Sequence, residues 1–220
     1  MFVLCSALAV TFLSFVLNFI TTDTGAGQGL SVYYPSSANA TFSEIIASIF
    51  ALAVIPALVE ELLVRGAIFS LYEKRGTLTA VLVTSAAFAM LHTSPDVLLS
   101  SFAASLFYGL LVYITGSIWS GVFAHLLSNI YSILVTILAA NYTFNLYWNY
   151  FFAANIILFF VFLFLALREL EGHSKDGAMP FLDHGKNSFR MSLFGSVKNT
   201  GFLLFTLLFV VRLTLMLILP

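Results

Sequence analysis

The chain has 220 residues, 60% of them hydrophobic, with 24 Phe, only 9% charged side chains and a mean hydropathy of +1.02, a composition that excludes an ordinary soluble domain and describes an integral membrane protein. A formal net charge of −1, with no basic cluster or repeat, points to no nucleic-acid partner. The single cysteine, Cys5, lies in an apolar run and excludes both a disulfide framework and a cysteine metal site.

Taken in order, the apolar runs predict membrane helices at 2–20, 43–72, 77–92, 97–115, 118–140, 148–167 and 201–219, since about twenty apolar residues cross the hydrocarbon layer. The expected fold class is therefore all-α, a polytopic transmembrane helical bundle of about seven helices. It forms a single integral membrane domain over 1–220 with its partner the lipid bilayer. The first run lacks the basic segment of a secretory signal, which predicts a retained helix. The second opens with "TFSE", where Thr41 and Glu44 have capping-box spacing. It exceeds one crossing, so it must tilt, protrude or break, and Pro56 is the expected kink.

In "HTSPDV", Ser94, Pro95 and Asp96 mark a turn, with Asp96 placed to cap the next helix. Along that helix Ser101, Ser105 and Gly109 recur every four residues, a stripe that lets a neighbour approach closely. A polar stretch over 168–199 reads as a solvated cytoplasmic loop, and His173 and His184 within it as solvated rather than metal-binding. Arg65 and Arg212 fall inside predicted helices. Lys74, Arg75, Arg168, Lys175, Lys186, Arg190 and Lys198 all fall on one side of a seven-helix topology. The positive-inside rule makes that side cytoplasmic, with the N-terminus inside, in the cell membrane if the source is prokaryotic. Arg212 has no assigned role.

"ALVEELLVRGAIF" (57–69) brings three ionisable groups into an apolar helix. A charge at the bilayer centre costs about 2.5–3.5 kcal/mol on insertion scales, so these groups must face protein or water. Glu61 and Arg65 stand at i and i+4 in the favourable order for an ion pair. Glu60 has no such local partner, which makes it the functional candidate. "FAMLH" ends the third helix with His92, and "HLLSN" sets His125 and Asn129 at i and i+4 on one face of the fifth. At 1.5 Å per residue from the cytoplasmic ends, Glu60 lies about 18 Å deep, His92 about 22 Å, His125 about 12 Å and Asn129 about 18 Å. Taken singly, each histidine is more often a hydrogen-bonded packing residue; convergence in mid-membrane is what points to chemistry.

The three segments, as EExxxR, FxxxH and HxxxN on successive membrane helices, resemble the CPBP family of intramembrane proteases, which includes the type II CAAX prenyl endopeptidases. "RGAIF" and "YGLLVYITGSIWSGVFAHLLSN" strengthen the resemblance, within a core expected over 43–135. The resemblance implies an endopeptidase acting on a membrane-associated protein or peptide. Glu60 with His92 would activate water, His125 and Asn129 would donate to the oxyanion, and Glu61 and Arg65 would support the motif. No cofactor is expected. The alternative is a zinc-dependent intramembrane metalloprotease with Glu60, His92 and His125 as ligands, disfavoured by the lack of HExxH or other compact zinc spacing. A further alternative is a non-catalytic scaffold, immunity factor or transporter, since mid-membrane Glu and His also suit ion relays.

Overall fold

A computed structural model describes residues 1–21, 41–92, 94–139, 146–173 and 188–218. The described residues form eight helical elements: α1 (Phe2–Thr21), α2 (Phe42–Glu73), α3 (Thr77–Leu91), α4 (Leu98–Thr115), α5 (Ile118–Ala139), α6 (Trp148–His173), α7 (Phe189–Val197) and α8 (Thr200–Ile218). They contain no strand. Five helices are long and apolar enough to cross a membrane, or six if α7 and α8, bent by 59°, count as one span. The protein is an all-α polytopic membrane bundle.

Each expected apolar run is helical, but two boundaries differ. The third run forms only the 15 residues of α3, about 22 Å of helix, which is short of a full crossing. His92 is its extended cap (φ −80°, ψ 128°), and Ser94, directly before Pro95, is extended as a pre-proline residue favours. The segment expected as loop over 168–199 is helical at both ends: α6 continues through Arg168, Glu169 and Glu171, all good helix formers, to His173, and α7 occupies Phe189–Val197. His184, Lys175 and Lys186 lie outside the described residues.

Thr41 caps α2 with the reciprocal bonds the "TFSE" spacing predicts: its hydroxyl accepts from the Glu44 N–H, and the Glu44 carboxylate accepts from the Thr41 N–H. Pro56 does not break the helix. The turn before it, Phe50–Val54, widens to π geometry, with the Ile55 N–H donating to the Phe50 carbonyl. That widening absorbs a ring which would collide with a regular preceding turn. A second π stretch, Leu62–Ile68, follows the paired glutamates and carries Arg65. Asp96 does not cap α4. It lies in a 3-10 turn, Pro95–Val97, and no side chain caps α4. Its backbone carbonyl instead accepts a bond from the Thr21 hydroxyl at the end of α1.

The bundle centre is built from small and aromatic side chains. Ala7 and Val10 of α1, Val64 of α2, Phe88 of α3, Ala104 and Tyr108 of α4 and Ala124 of α5 form one buried cluster. In lipid, helix association rests on close packing and interhelical hydrogen bonds rather than on the hydrophobic effect. The Thr11 and Ser128 hydroxyls supply one such bond between α1 and α5, at 3.0 Å. The α4 stripe is buried as its spacing predicts, with Ser105 fully enclosed. A Cβ on Gly109 would stand 3.4 Å from Val81 of α3 and 3.9 Å from the Arg65 Nε, so the stripe admits both neighbours. Outward faces carry side chains such as Phe160, Phe164, Leu204 and Leu208, each more than half exposed and suited to acyl chains.

Candidate active site

The charges of α2 are gathered inward. Arg65 Nη1 donates to Glu61 Oε1 at 2.9 Å, and both side chains are wholly enclosed. Arg65 Nη2 donates to the backbone carbonyl and the hydroxyl of Ser105 on α4. The guanidinium also lies over the rings of Phe88 and Tyr108, at 5.3 and 5.9 Å from their centroids. A buried ion pair is stabilised by further hydrogen bonds, and Ser105 of α4 supplies two of them, while Arg65 Nε and Glu61 Oε2 have no hydrogen-bond partner among the described residues. Opposite this pair, a Cβ on Gly121 would stand 3.0 Å from Glu61 Oε2 and 2.6 Å from Val112. Glycine there lets α5 close against the carboxylate.

His125 lies between the two glutamates of α2. Its Nδ1 is 3.3 Å from Glu61 Oε1, and its Nε2 is 4.0 Å from Glu60 Oε2. Tyr108 stacks flat on the imidazole, with centroids 5.1 Å apart and planes 17° apart, while Phe88 meets it edge-on at 5.4 Å. The two rings and the Glu61 carboxylate fix the ring plane. Glu60 is the more open of the two acids, its side chain 27% exposed, with Oε2 buried and lacking a hydrogen-bond partner among the described residues. His92 points Nδ1 at the Phe88 carbonyl, 3.1 Å away. Donation through that nitrogen leaves Nε2 as the basic atom. Glu60 and His125 both lie near enough to His92 to interact with it electrostatically.

A cavity of about 210 Å³ opens beside these groups. His92 and His125 line it together with Asn129, and Phe88 and Tyr108 are also in its wall. The rest is largely hydroxyl and amide: Ser14 and Asn18 from α1, Ser100 and Ser101 from α4, Ser128 and Ser132 from α5. Ser14 Oγ is buried with no hydrogen-bond partner among the described residues. Such a lining, at this size, accommodates several waters inside the membrane. The chemistry of peptide hydrolysis needs that: a base, a water, and donors for the oxyanion.

The structure thus draws Glu60, Glu61 and Arg65 of α2, His92 beyond α3, and His125 and Asn129 of α5 to one region. Glu60 stands behind the imidazoles rather than in the cavity wall. His92 sits at a helix end, not within a span. Among the described residues no three His, Cys, Asp or Glu side chains are grouped as a metal ion requires; Glu60 and His125 face each other rather than a common point. Four contributors escaped sequence reasoning: Tyr108, Gly121, Ser14 and Asn18. Ser105 and Gly109 marked the face of α4 that carries Tyr108, but nothing in α1 announced Ser14 or Asn18.

Residues 42–131, from the start of α2 to Tyr131 of α5, match the family model described as type II CAAX prenyl endopeptidase Rce1-like. Over this stretch the chain is similar to that protease family. Comparison with curated proteins and with solved structures found no match for either. The Rce1-like match contains every residue of the EExxxR, FxxxH and HxxxN segments, together with Tyr108 and Gly121. It stops short of α1, whose Ser14 and Asn18 complete the cavity. The match supports an integral membrane endopeptidase as the functional class.

Proposed function

We propose that the protein hydrolyses a peptide bond of a membrane-associated protein or peptide within this cavity, without a metal. The observation that carries this reading is the meeting of Glu60 with His125 across two helices, 4.0 Å apart, beside a polar cavity that His92, His125 and Asn129 line. His92, on the cavity wall and backed by Glu60, takes a proton from a water in the cavity as the water oxygen attacks the scissile carbonyl carbon. The carbonyl oxygen gains the electron pair, and the Asn129 amide and the His125 ring donate to it. The C–N bond then breaks, and the proton held by the Glu60–His92 pair passes to the departing amine. His125 donates through Nε2. Glu61 and Arg65 touch no substrate; they hold His125 in place.

The test is a pair of variants assayed on a membrane-associated peptide. Glu60→Gln and His92→Ala should each lower turnover by about 10²–10⁴-fold, the range of a lost general acid or base, with unfolding temperature unchanged. Retained turnover in either variant would refute the assignment. Wild-type turnover should also survive a zinc chelator; loss with chelator and recovery with added Zn²⁺ would replace this mechanism by a metal-dependent one.

A further inference from the structure

The cavity has a direction. Its outer wall is made where helices end: Asn18 is within one turn of the end of α1 at Thr21, Val97 precedes α4 and Ser100 lies in its first turn, and His92 caps α3. Its floor is Tyr108 and His125, both buried, with Arg65, Glu61 and Ser105 sealed beneath them. Water therefore reaches the imidazoles from the end of the bundle that carries the α3–α4 turn.

The basic residues mark the opposite end. Lys74 and Arg75 form the α2–α3 turn, and Arg75 Nη1 donates to Ser196 Oγ at 3.3 Å, which brings α7 with Arg190 and Lys198 to the same end. Helices α1 and α6 run antiparallel: Phe19 stacks on Phe152 near the start of α6, whereas Phe2 and Ser6 share a pocket with Ala166 and Leu170. Thr21 meets Asp96 at the cavity end, so Arg168, near the end of α6, lies with Arg75. Among the described residues at the cavity end, Thr41, 94–97 and 146–147, there is no lysine or arginine, and Asp96 is acidic. Lysine and arginine bias sets orientation, with the basic side cytoplasmic.

We propose that the site receives its substrate from the non-cytoplasmic side of the membrane: a polypeptide segment presented at that surface, rather than a protein approaching from the cytoplasm. The word substrate rests on the hydrolytic reading above; the sidedness does not. Ser132 lines the cavity, is partly exposed and bonds only its own helix, so cysteine fits there. Replacement of the sole native thiol by Cys5→Ser gives a clean background. In that background, with Glu60→Gln added so that labelling is independent of proteolysis, three single-cysteine chains are compared: Ser132→Cys in the cavity, Asp96→Cys at its rim and Lys74→Cys at the basic turn. Each is treated with a small, membrane-impermeant methanethiosulfonate in sealed right-side-out and in inverted membranes.

Ser132→Cys and Asp96→Cys should react in right-side-out membranes and lose that reaction in inverted ones, and Lys74→Cys should do the reverse. Reaction of Ser132→Cys from the cytoplasmic side overturns the proposal, as does its failure to react from either side while the denatured chain reacts. Should Ser132→Cys not fold, Asp96→Cys, at an exposed position, decides the sidedness: labelling from the cytoplasmic face rejects it. A failure of the hydrolytic reading would leave this pattern unchanged, because no arm reads cleavage.

Discussion

Glu60 and Glu61 are adjacent acids with different work. Glu61 is enclosed and shares its charge with Arg65 and His125, whereas Glu60 is partly open and faces the other nitrogen of the same ring. Removing one partner of a buried pair leaves the other charge stranded, so Arg65→Met should destabilise the fold by about 3–5 kcal/mol, read from chemical unfolding in detergent. Tyr108 is a positioning residue: its ring is buried and stacks on His125. Tyr108→Phe keeps the stack and should retain most of kcat, while Tyr108→Ala should lower kcat and leave KM nearly unchanged. Equal effects of the two variants would put the contribution in the hydroxyl instead. Gly121→Ala places a methyl 2.6 Å from Val112 and 3.0 Å from Glu61. Overpacking of that kind costs about 1–3 kcal/mol and should lower activity by pushing Glu61 off His125; unchanged unfolding and activity would show that α5 gives way freely.

At the scale of the helix, α2 is irregular where it carries the candidate site. A π turn admits Pro56, and a second follows the glutamates and carries Arg65, so thirty-two residues continue unbroken from Phe42 to Glu73. Length and the proline foretold some distortion, but not its form, because the choice between a kink and a widened turn depends on what neighbouring helices re-satisfy. The capping box was legible because Thr41 and Glu44 need only their own backbone. Asp96 was misread for the converse reason: α1, remote in sequence, claims the turn through Thr21. Helix α1 reads as plain apolar text, yet it packs at the centre and bonds Ser128 through Thr11. Thr11→Val should cost about 0.6 kcal/mol, the usual worth of one interhelical bond in a membrane protein, measured by unfolding. A loss of several kcal/mol would mean that α1 docking depends on that bond.

For the whole molecule, hydropathy foretold an all-helical membrane bundle because lipid leaves a chain few other choices. The candidate site was legible as residue types and spacing, since Glu60, His92, His125 and Asn129 each interrupt apolar text that punishes polar groups. Their cavity was not, because it is assembled from serines and an asparagine on three helices, none unusual alone. The polar stretch over 168–199 misled in the other direction: loss of hydropathy ends a span, but α6 has no reason to unwind at the membrane surface.

The account stands on Glu60 and His125 acting together from different spans. A double-mutant cycle of Glu60→Gln, His125→Ala and the combined variant, assayed in lipid nanodiscs on one membrane-associated peptide, measures that joint action directly. Residues that work as a unit are strongly non-additive, so the combined variant should fall no lower than the worse of the two single ones. Losses that multiply, as for independent sites, would contradict it.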